Sequence, residues 1–338
     1  MKYLPLLGAL LISTTAFAHN DDAYSHDAAI MDYTQTDWMA RLPGNLTLSR
    51  LSIPGTHDSG SRYGGDAIAN QVMTIPQQLN AGIRYLDIRV RHIDDAFAIH
   101  HGVKYQNLNF DDVMKSVTAF LQQHRGETVV MRLREEYSPS NNTRSISETM
   151  DSYISTYQNT FLSDYGYLHD PTLNQVRGKV FIIWDNFEST GSTPVASRRL
   201  NSIEMQDAWS VSSNWDLYGK WEKVKKFIND NQNYGDISIN YLSAAGGSFP
   251  YFVASGHSSA GTSAPRLSTG LTTPGWKYKY PDFPRVSCFI RICTIAFEGT
   301  NTLTRNYLNN NYVERTGIIA ADFPGKGLIR AIINKNDF

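Results

Sequence analysis

The chain has 338 residues, with 31 lysines and arginines against 32 aspartates and glutamates. That near-zero balance argues against a nucleic-acid-binding protein and against strong attraction to anionic membranes. The length suits one large α/β barrel, which typically needs ~250 residues, or two smaller domains.

Met1 and Lys2 open an apolar stretch from Tyr3 to Phe17 that ends in Ala16, Phe17 and Ala18. A charged start, a short apolar core and an A-x-A site predict a signal peptide over residues 1–18, cleaved before His19. The run is below the ~20 apolar residues that span a bilayer. The expected location is therefore secreted or periplasmic. Residues 19–37 are polar and predict a loose N-terminal lead-in.

Residues 48–53 predict a first strand, stopped by Pro54 and Gly55. Residues 68–81 predict a helix interrupted near Pro76. Two strands follow, 84–90 and 97–100, joined by a turn at Asp94 and Asp95. Residues 110–124 carry helical spacing (Val113, Val117, Phe120, Leu121), with Asp111 and Asp112 favourable at the N-terminal end. A strand over 128–133, a helix over 148–161 and a buried strand over 179–184 come next. The remainder predicts a helix (217–229), a strand (237–242), a helix (303–309) and a last strand (317–321). Strands alternating with helices predict an α/β fold with a largely parallel sheet.

Cys288 and Cys293 are the two cysteines. Export makes a disulfide chemically possible. If 288–297 is one strand, residues five apart lie ~16 Å apart, beyond the ~4.4–6.8 Å between bridged Cα atoms. A bridge requires a turn within 289–292, and the sequence leaves the choice open.

Three segments place polar groups at the ends of apolar runs: LSIPGTHDSG at 51–60, YLDIRVR at 85–91 and AIHHG at 98–102. Barrel enzymes build their sites there, at the C-terminal ends of strands. Histidine, with its near-neutral pKa, suits proton transfer. In this order and spacing the segments resemble the bacterial phosphatidylinositol-specific phospholipase C family. The likeness continues through VVMRLREEY at 129–137, RGKV at 177–180, MQDAW at 205–209, SAAGGS at 243–248 and GIIAADF at 317–323. It runs from about Trp38 to the end, with the middle and residues 256–298 matching poorly.

The resemblance implies a single-domain distorted TIM-type (β/α) barrel over 38–338, catalytic, with an insertion near 256–298. It implies cleavage of phosphatidylinositol to diacylglycerol and 1D-myo-inositol 1,2-cyclic phosphate. In that scheme His57 is the base and Asp322 steadies it. His101 is the acid, partnered by Asp58. Arg89 meets the phosphate, with Asp87 beside it. His100 and His101 face opposite sides of a strand, and the family pattern selects His101. Arg89 and Arg91 share the face of Asp87, and the resemblance selects Arg89. A guanidinium supplies fixed positive charge where a divalent ion would otherwise be needed, so the expected site needs no metal and no cofactor.

For the headgroup, Arg134 falls where compact members carry a lysine, Asp207 matches an inositol-binding aspartate, and Trp209 replaces a stacking tyrosine. Asp185 departs from the family, which commonly has a basic residue there. Its carboxylate is expected to accept hydrogen bonds from sugar hydroxyls and to disfavour extra phosphates. The region after Val72 lacks the tryptophan-bearing membrane helix of some secreted members. Phe249, Tyr251 and Phe252, or the insertion near Trp276, remain candidates either for lipid contact or for core packing. The expected partner is an inositol phospholipid at a membrane surface, met by a monomer. Two alternatives stay open: an enzyme for glycosylated inositol lipids or another phosphodiester, and a non-catalytic lipid- or sugar-binding barrel.

Overall fold

The computed structural model describes residues 21–27, 32–162, 166–231, 235–259 and 265–336. The expected signal peptide and the start at His19 lie outside them.

The chain begins its sheet with β1 (Ser52–Thr56), β2 (Tyr85–Ile93), β3 (Ala96–His101), β4 (Lys104–Asn109), β5 (Val129–Glu135), β6 (Val180–Trp184), β7 (Ser197–Arg199) and β8 (Glu204–Gln206). The short pair β9 (Ser210–Val211) and β11 (Ala245–Gly246) flanks β10 (Ser238–Tyr241). Then come β12 (Ser268–Thr272), β13 (Arg285–Phe289), β14 (Ile292–Ala296) and β15 (Gly317–Ala321). The helices are α1 (Ile75–Asn80), α2 (Phe110–Gln123), α3 (Ile146–Thr156), α4 (Leu173–Val176), α5 (Leu217–Asp230), α6 (Pro250–Ser255), α7 (Thr300–Asn310) and α8 (Lys326–Ile333).

Eight parallel strands curl in the order β7-β6-β5-β2-β1-β15-β10-β8, a distorted TIM-type barrel. The ladder stays open, because β7 and β8 are its two edges. From β2 the chain turns back into the antiparallel β3 and β4. Burial explains the sequence pattern: β1, β6, β10 and β15 are buried at every position, as expected of strands covered on both faces. Pro54 is tolerated within β1 because pairing with β2 starts only at Gly55 opposite Tyr85. At Gly55 a Cβ would lie 2.7 Å from the Tyr85 ring, so the two strands need glycine to approach.

Several elements differ from expectation. The first strand starts at Ser52, after a 3-10 turn over Leu48–Arg50. The helix expected over 68–81 is only the short α1. Thr74 caps it in a box with Gln77, and Pro76 sits in the first turn, where a missing N–H costs nothing. The proline therefore helps to start the helix and does not interrupt it. The lead-in is tied down: Tyr24 is buried and bridges to Pro324, Ser25 N–H donates to Phe323 O at 2.9 Å, and Arg305 pairs with Asp21 and Asp22.

Residues 268–296 form a separate antiparallel sheet, β12-β14-β13. The strand that would have kept the cysteines apart is a hairpin. Ile290 and Arg291 turn with φ of 42° and 67°, and Cys288 and Cys293 are disulfide-bonded with their Cα atoms 4.0 Å apart.

Candidate active site

Parallel register brings together residues 265 positions apart. Thr56 of β1 lies opposite Ala321 of β15, so the next residues, His57 and Asp322, emerge side by side. His57 Nδ1 is 2.8 Å from Asp322 Oδ1, and Asn70 Nδ2 donates to the same oxygen at 3.0 Å. On the other edge of the ring, Arg89 Nη2 donates to His57 Nε2 at 2.7 Å. An arginine cannot accept a proton, so these partners assign the tautomer: Nδ1–H to the carboxylate and a lone pair on Nε2.

The turn that carries His57 is braced from below. Asp58 adopts a left-handed φ of 42°, and Ser59 N–H donates to Asp87 O at 2.8 Å. Buried Gln78 of α1 accepts from Thr56 Oγ1 (2.7 Å) and donates to the carbonyls of Ser59 (2.8 Å) and Met73 (2.9 Å). Replacing Gln78 by leucine strands these groups. The expected loss is ~1–3 kcal/mol in denaturant unfolding, with a modest fall in turnover as His57 loses its support. Unchanged unfolding midpoints would show that the brace carries no weight.

At the end of β3, His101 Nδ1 lies 3.2 Å from Asp58 Oδ2 and 3.2 Å from Ser61 Oγ. Asp58 is fully buried. Burial pushes its carboxyl up, opposed by Arg89, His101 and His57. Burial acts on Asp87 in the same sense, yet Arg132 and Arg89 outweigh it and hold the carboxyl well below the usual range. Arg89 is ringed by Asp87 (3.3 Å), Asp58 (3.8 Å) and Glu136 (3.8 Å). Desolvation alone would lower its pKa, and those carboxylates outweigh it and raise it. It is a permanent cation held among Asp87, Asp58 and Glu136, with Nη2 on His57.

β2 and β5 pair with Asp87 opposite Arg132 and Arg89 opposite Arg134. Arg132 is almost fully buried. It donates to Asp87 Oδ2 at 3.3 Å, Tyr241 OH at 2.8 Å and Asp185 Oδ2 at 2.6 Å. Tyr241 OH meets Tyr85 OH at 2.7 Å, which closes the polar stack against the barrel floor.

Above this stack lies a cleft of about 370 Å³. His57, Asn70, Arg89, His101, Arg132, Arg134, Glu136, Asp207, Trp209 and Asp322 line it. Of the residues expected to contact the headgroup, Arg134, Asp207 and the exposed Trp209 are on its wall. Asp58 and Asp87 stand behind it. Asp185 requires a correction. It is not on the wall, and its carboxylate is held by both Arg132 and Arg134 (3.2 Å). The same two guanidiniums also pair with Asp87 (3.3 Å) and Glu136 (3.7 Å), so Asp185 is one member of a shared ion-pair network and not a lone carboxylate facing the headgroup. Arg91 turns away to Ser138 O, and buried His100 contacts Gly102 O.

Sequence reasoning missed Asn70, Ser61, Gln78, Arg132, Glu136 and Tyr241. For Arg132 a signal existed, since it shares the face of Arg134 two residues on. The others are polar residues in coil, strand or the short α1 with no pattern of their own. A larger hollow, about 730 Å³, lies at the far end beside Tyr33, Trp38 and Ile333, and its lining holds no histidine or carboxylate.

Residues 56–185 match the family model "Phosphatidylinositol-specific phospholipase C, X domain". Over this segment the chain is similar to that family. The X domain thus contains His57, Asp58, Asp87, Arg89, His101, Arg132 and Arg134, while Asp322 lies beyond it. A 1-phosphatidylinositol phosphodiesterase from Listeria monocytogenes is 36% identical over 169 residues, 45% of this chain and 50% of the relative. The chain thus spans about half the length of that relative. One of the same name from Staphylococcus aureus is 26% identical over 276 residues, 71% of this chain and 80% of the relative. In fold, the phosphatidylinositol-specific phospholipase C of Listeria monocytogenes superposes with a TM-score of 0.62 at 24% identity, covering 90% of this chain and all of that one.

Proposed function

We propose that this chain is a phospholipase C-type phosphodiesterase that cleaves phosphatidylinositol without a metal. The observation that carries the reading is the arrangement of His57, His101 and Arg89 on one cleft wall, each with its own carboxylate behind it. His57 Nε2 takes the proton of the inositol 2-hydroxyl as that oxygen attacks phosphorus. Asp322 stabilises the imidazolium so formed. His101 gives a proton to the departing glyceryl oxygen, and Asp58 supports its charged form. Arg89 leaves the His57 lone pair and turns its fork to the non-bridging phosphoryl oxygens, where negative charge concentrates in the transition state. The phosphodiester bond to glycerol breaks, the bond to O2 forms, and the products are diacylglycerol and a 1,2-cyclic inositol phosphate. Trp209 offers a flat face to the ring, with Asp207 and Arg134 for its hydroxyls.

Export belongs to the same proposal. The leader over residues 1–18 and the Cys288–Cys293 bridge both suit an oxidising compartment.

Phosphorus NMR of products from phosphatidylinositol, with and without excess chelator, tests the reading. The cyclic phosphate resonance should appear at equal rates in both. Arg89→Lys should be strongly impaired, since an ammonium cannot reproduce the planar fork. Strict dependence on calcium would overturn the role given to Arg89.

A further inference from the structure

The disulfide-closed hairpin β13-β14 ends in apolar side chains that are largely exposed among the described residues. Among the described residues, Phe289 is 74% exposed and Ile290 77%, and Ile292 is exposed beside them. Water contact of this kind is costly for three adjacent apolar side chains. The Cys288–Cys293 bridge lies immediately below the turn and holds the apex in place. The surroundings are cationic. Residues 273–297 contain Lys277, Lys279, Arg285 and Arg291 against one acid, Asp282. That acid is tied inward, accepting from Tyr218, Trp221 and Lys225 of α5. Exposed Trp276 and Tyr278 stand in the same segment.

The base of this sheet is firmly rooted. Phe283, Ile295 and Phe297 are buried, and Phe297 meets Phe252 of α6 edge-on at 5.5 Å. The first residue of α6, Pro250, lines the cleft. β14 leads into α7, whose Thr300 Oγ1 donates to Leu242 O just past β10. The sheet therefore springs from the same end of the barrel as the cleft.

We infer that the apex Phe289–Ile292 is a membrane anchor that inserts into the interfacial region of an anionic phospholipid bilayer. Phe289 and Ile290 leave water for the acyl boundary, Lys277, Lys279 and Arg291 meet lipid phosphates, and Trp276 and Tyr278 sit at headgroup level, while Arg285 holds the loop by donating to the carbonyls of Lys277, Lys279, Tyr280 and Phe283. The bridge fixes the apex before contact, so insertion does not have to order it. The choice of a lipid surface as occupant rests on the proposed function; the binding measurement does not.

The test is co-sedimentation with vesicles of phosphatidylcholine and phosphatidylglycerol, which contain no inositol lipid. Wild type is compared with the Phe289→Ser/Ile290→Ser double variant. Both positions are exposed, so the variant should keep its melting temperature. The partition coefficient should fall about tenfold or more, and wild-type binding should weaken several-fold as salt rises from ~0.1 to ~0.5 M. Hydrolysis of a water-soluble inositol phosphodiester should change less than about twofold. Equal partitioning of the two proteins overturns the inference. So does a wild type that is dimeric without vesicles and made monomeric by the substitutions, which would make the apex a self-association surface. Loss of vesicle binding in the variant, with no hydrolysis by either protein, would keep the anchor and discard the reading of the cleft.

Discussion

Replacing His57 by alanine should lower turnover at least ~10²–10⁴-fold, the usual contribution of a positioned general base. The geometry makes a sharper statement than the size alone. His57 has one edge committed to Asp322 and the other aimed into the cleft. Its loss should therefore be felt with every substrate, whatever the leaving group. In the proposed mechanism His101, by contrast, serves the leaving oxygen. His101→Ala should fail on the glyceryl ester and recover on a p-nitrophenyl inositol phosphate, whose leaving group needs no proton. Initial rates of both variants on both substrates separate the roles. Recovery of His57→Ala on the activated ester, or no recovery of His101→Ala, would reverse the assignment. Near-normal turnover of His57→Ala on phosphatidylinositol would remove the mechanism altogether.

The strand ends that carry this chemistry were legible because each couples an apolar run to a polar stop. GIIAADF and LSIPGTHD are buried parallel strands followed by the residues that meet. Their pairing was not legible from either segment alone. It comes from β1 and β15 being neighbours across the whole chain, a tertiary fact that the resemblance, not local periodicity, supplied. Helices with regular apolar spacing, such as α2 and α5, fell within two residues of expectation. The helix at 68–81 did not, because most of that stretch serves as an irregular support that delivers Asn70 and Gln71 beneath His57 and Asp322. Such segments owe their shape to hydrogen bonds with distant backbone and carry no repeat to read. The hairpin at 288–293 likewise depends on Ile290 and Arg291 adopting positive φ, which neither residue type advertises.

Asp185 shows how an anomaly in sequence takes its meaning from the residues packed around it. A carboxylate does stand where the family commonly has a base. The register of β2, β5 and β6 then sets Arg132 between Asp87 and the residue after Trp184. The acid and the base thus form one layer, Asp87–Arg132–Asp185, and the sign of the field at the cleft is set by the layer. Arg132 and Arg134 are shared among Asp87, Asp185 and Glu136. The carboxylate's effect on a phosphorylated headgroup is therefore set by this network and not by Asp185 alone.

That layer makes Arg132 the most consequential residue that sequence reading overlooked. Arg132→Met should cost ~3–5 kcal/mol of unfolding free energy, the scale for removing one partner of a buried ion pair. Asp87 would keep Arg89 and the Asp58 N–H, and Tyr241 OH would lose a donor. The pH dependence gives a second readout. The Asp87 pKa is depressed in the folded protein, so its contribution to stability is present above the unfolded value of ~3.9 and is lost as pH falls through the folded one. With Arg132 gone the depression shrinks, and the loss of stability below pH ~4 should become shallower. Urea unfolding of wild type, Arg132→Met and Arg132→Met/Asp185→Leu across this range decides it. The second substitution should recover part of the loss, because it removes a carboxylate left without its shortest partner. A loss below ~1 kcal/mol at neutral pH, or no recovery in the double variant, would mean that Asp87 is held by Arg89 alone. In that case Arg132 should be regarded as a headgroup contact and nothing more, and its removal should raise KM with little effect on the fold.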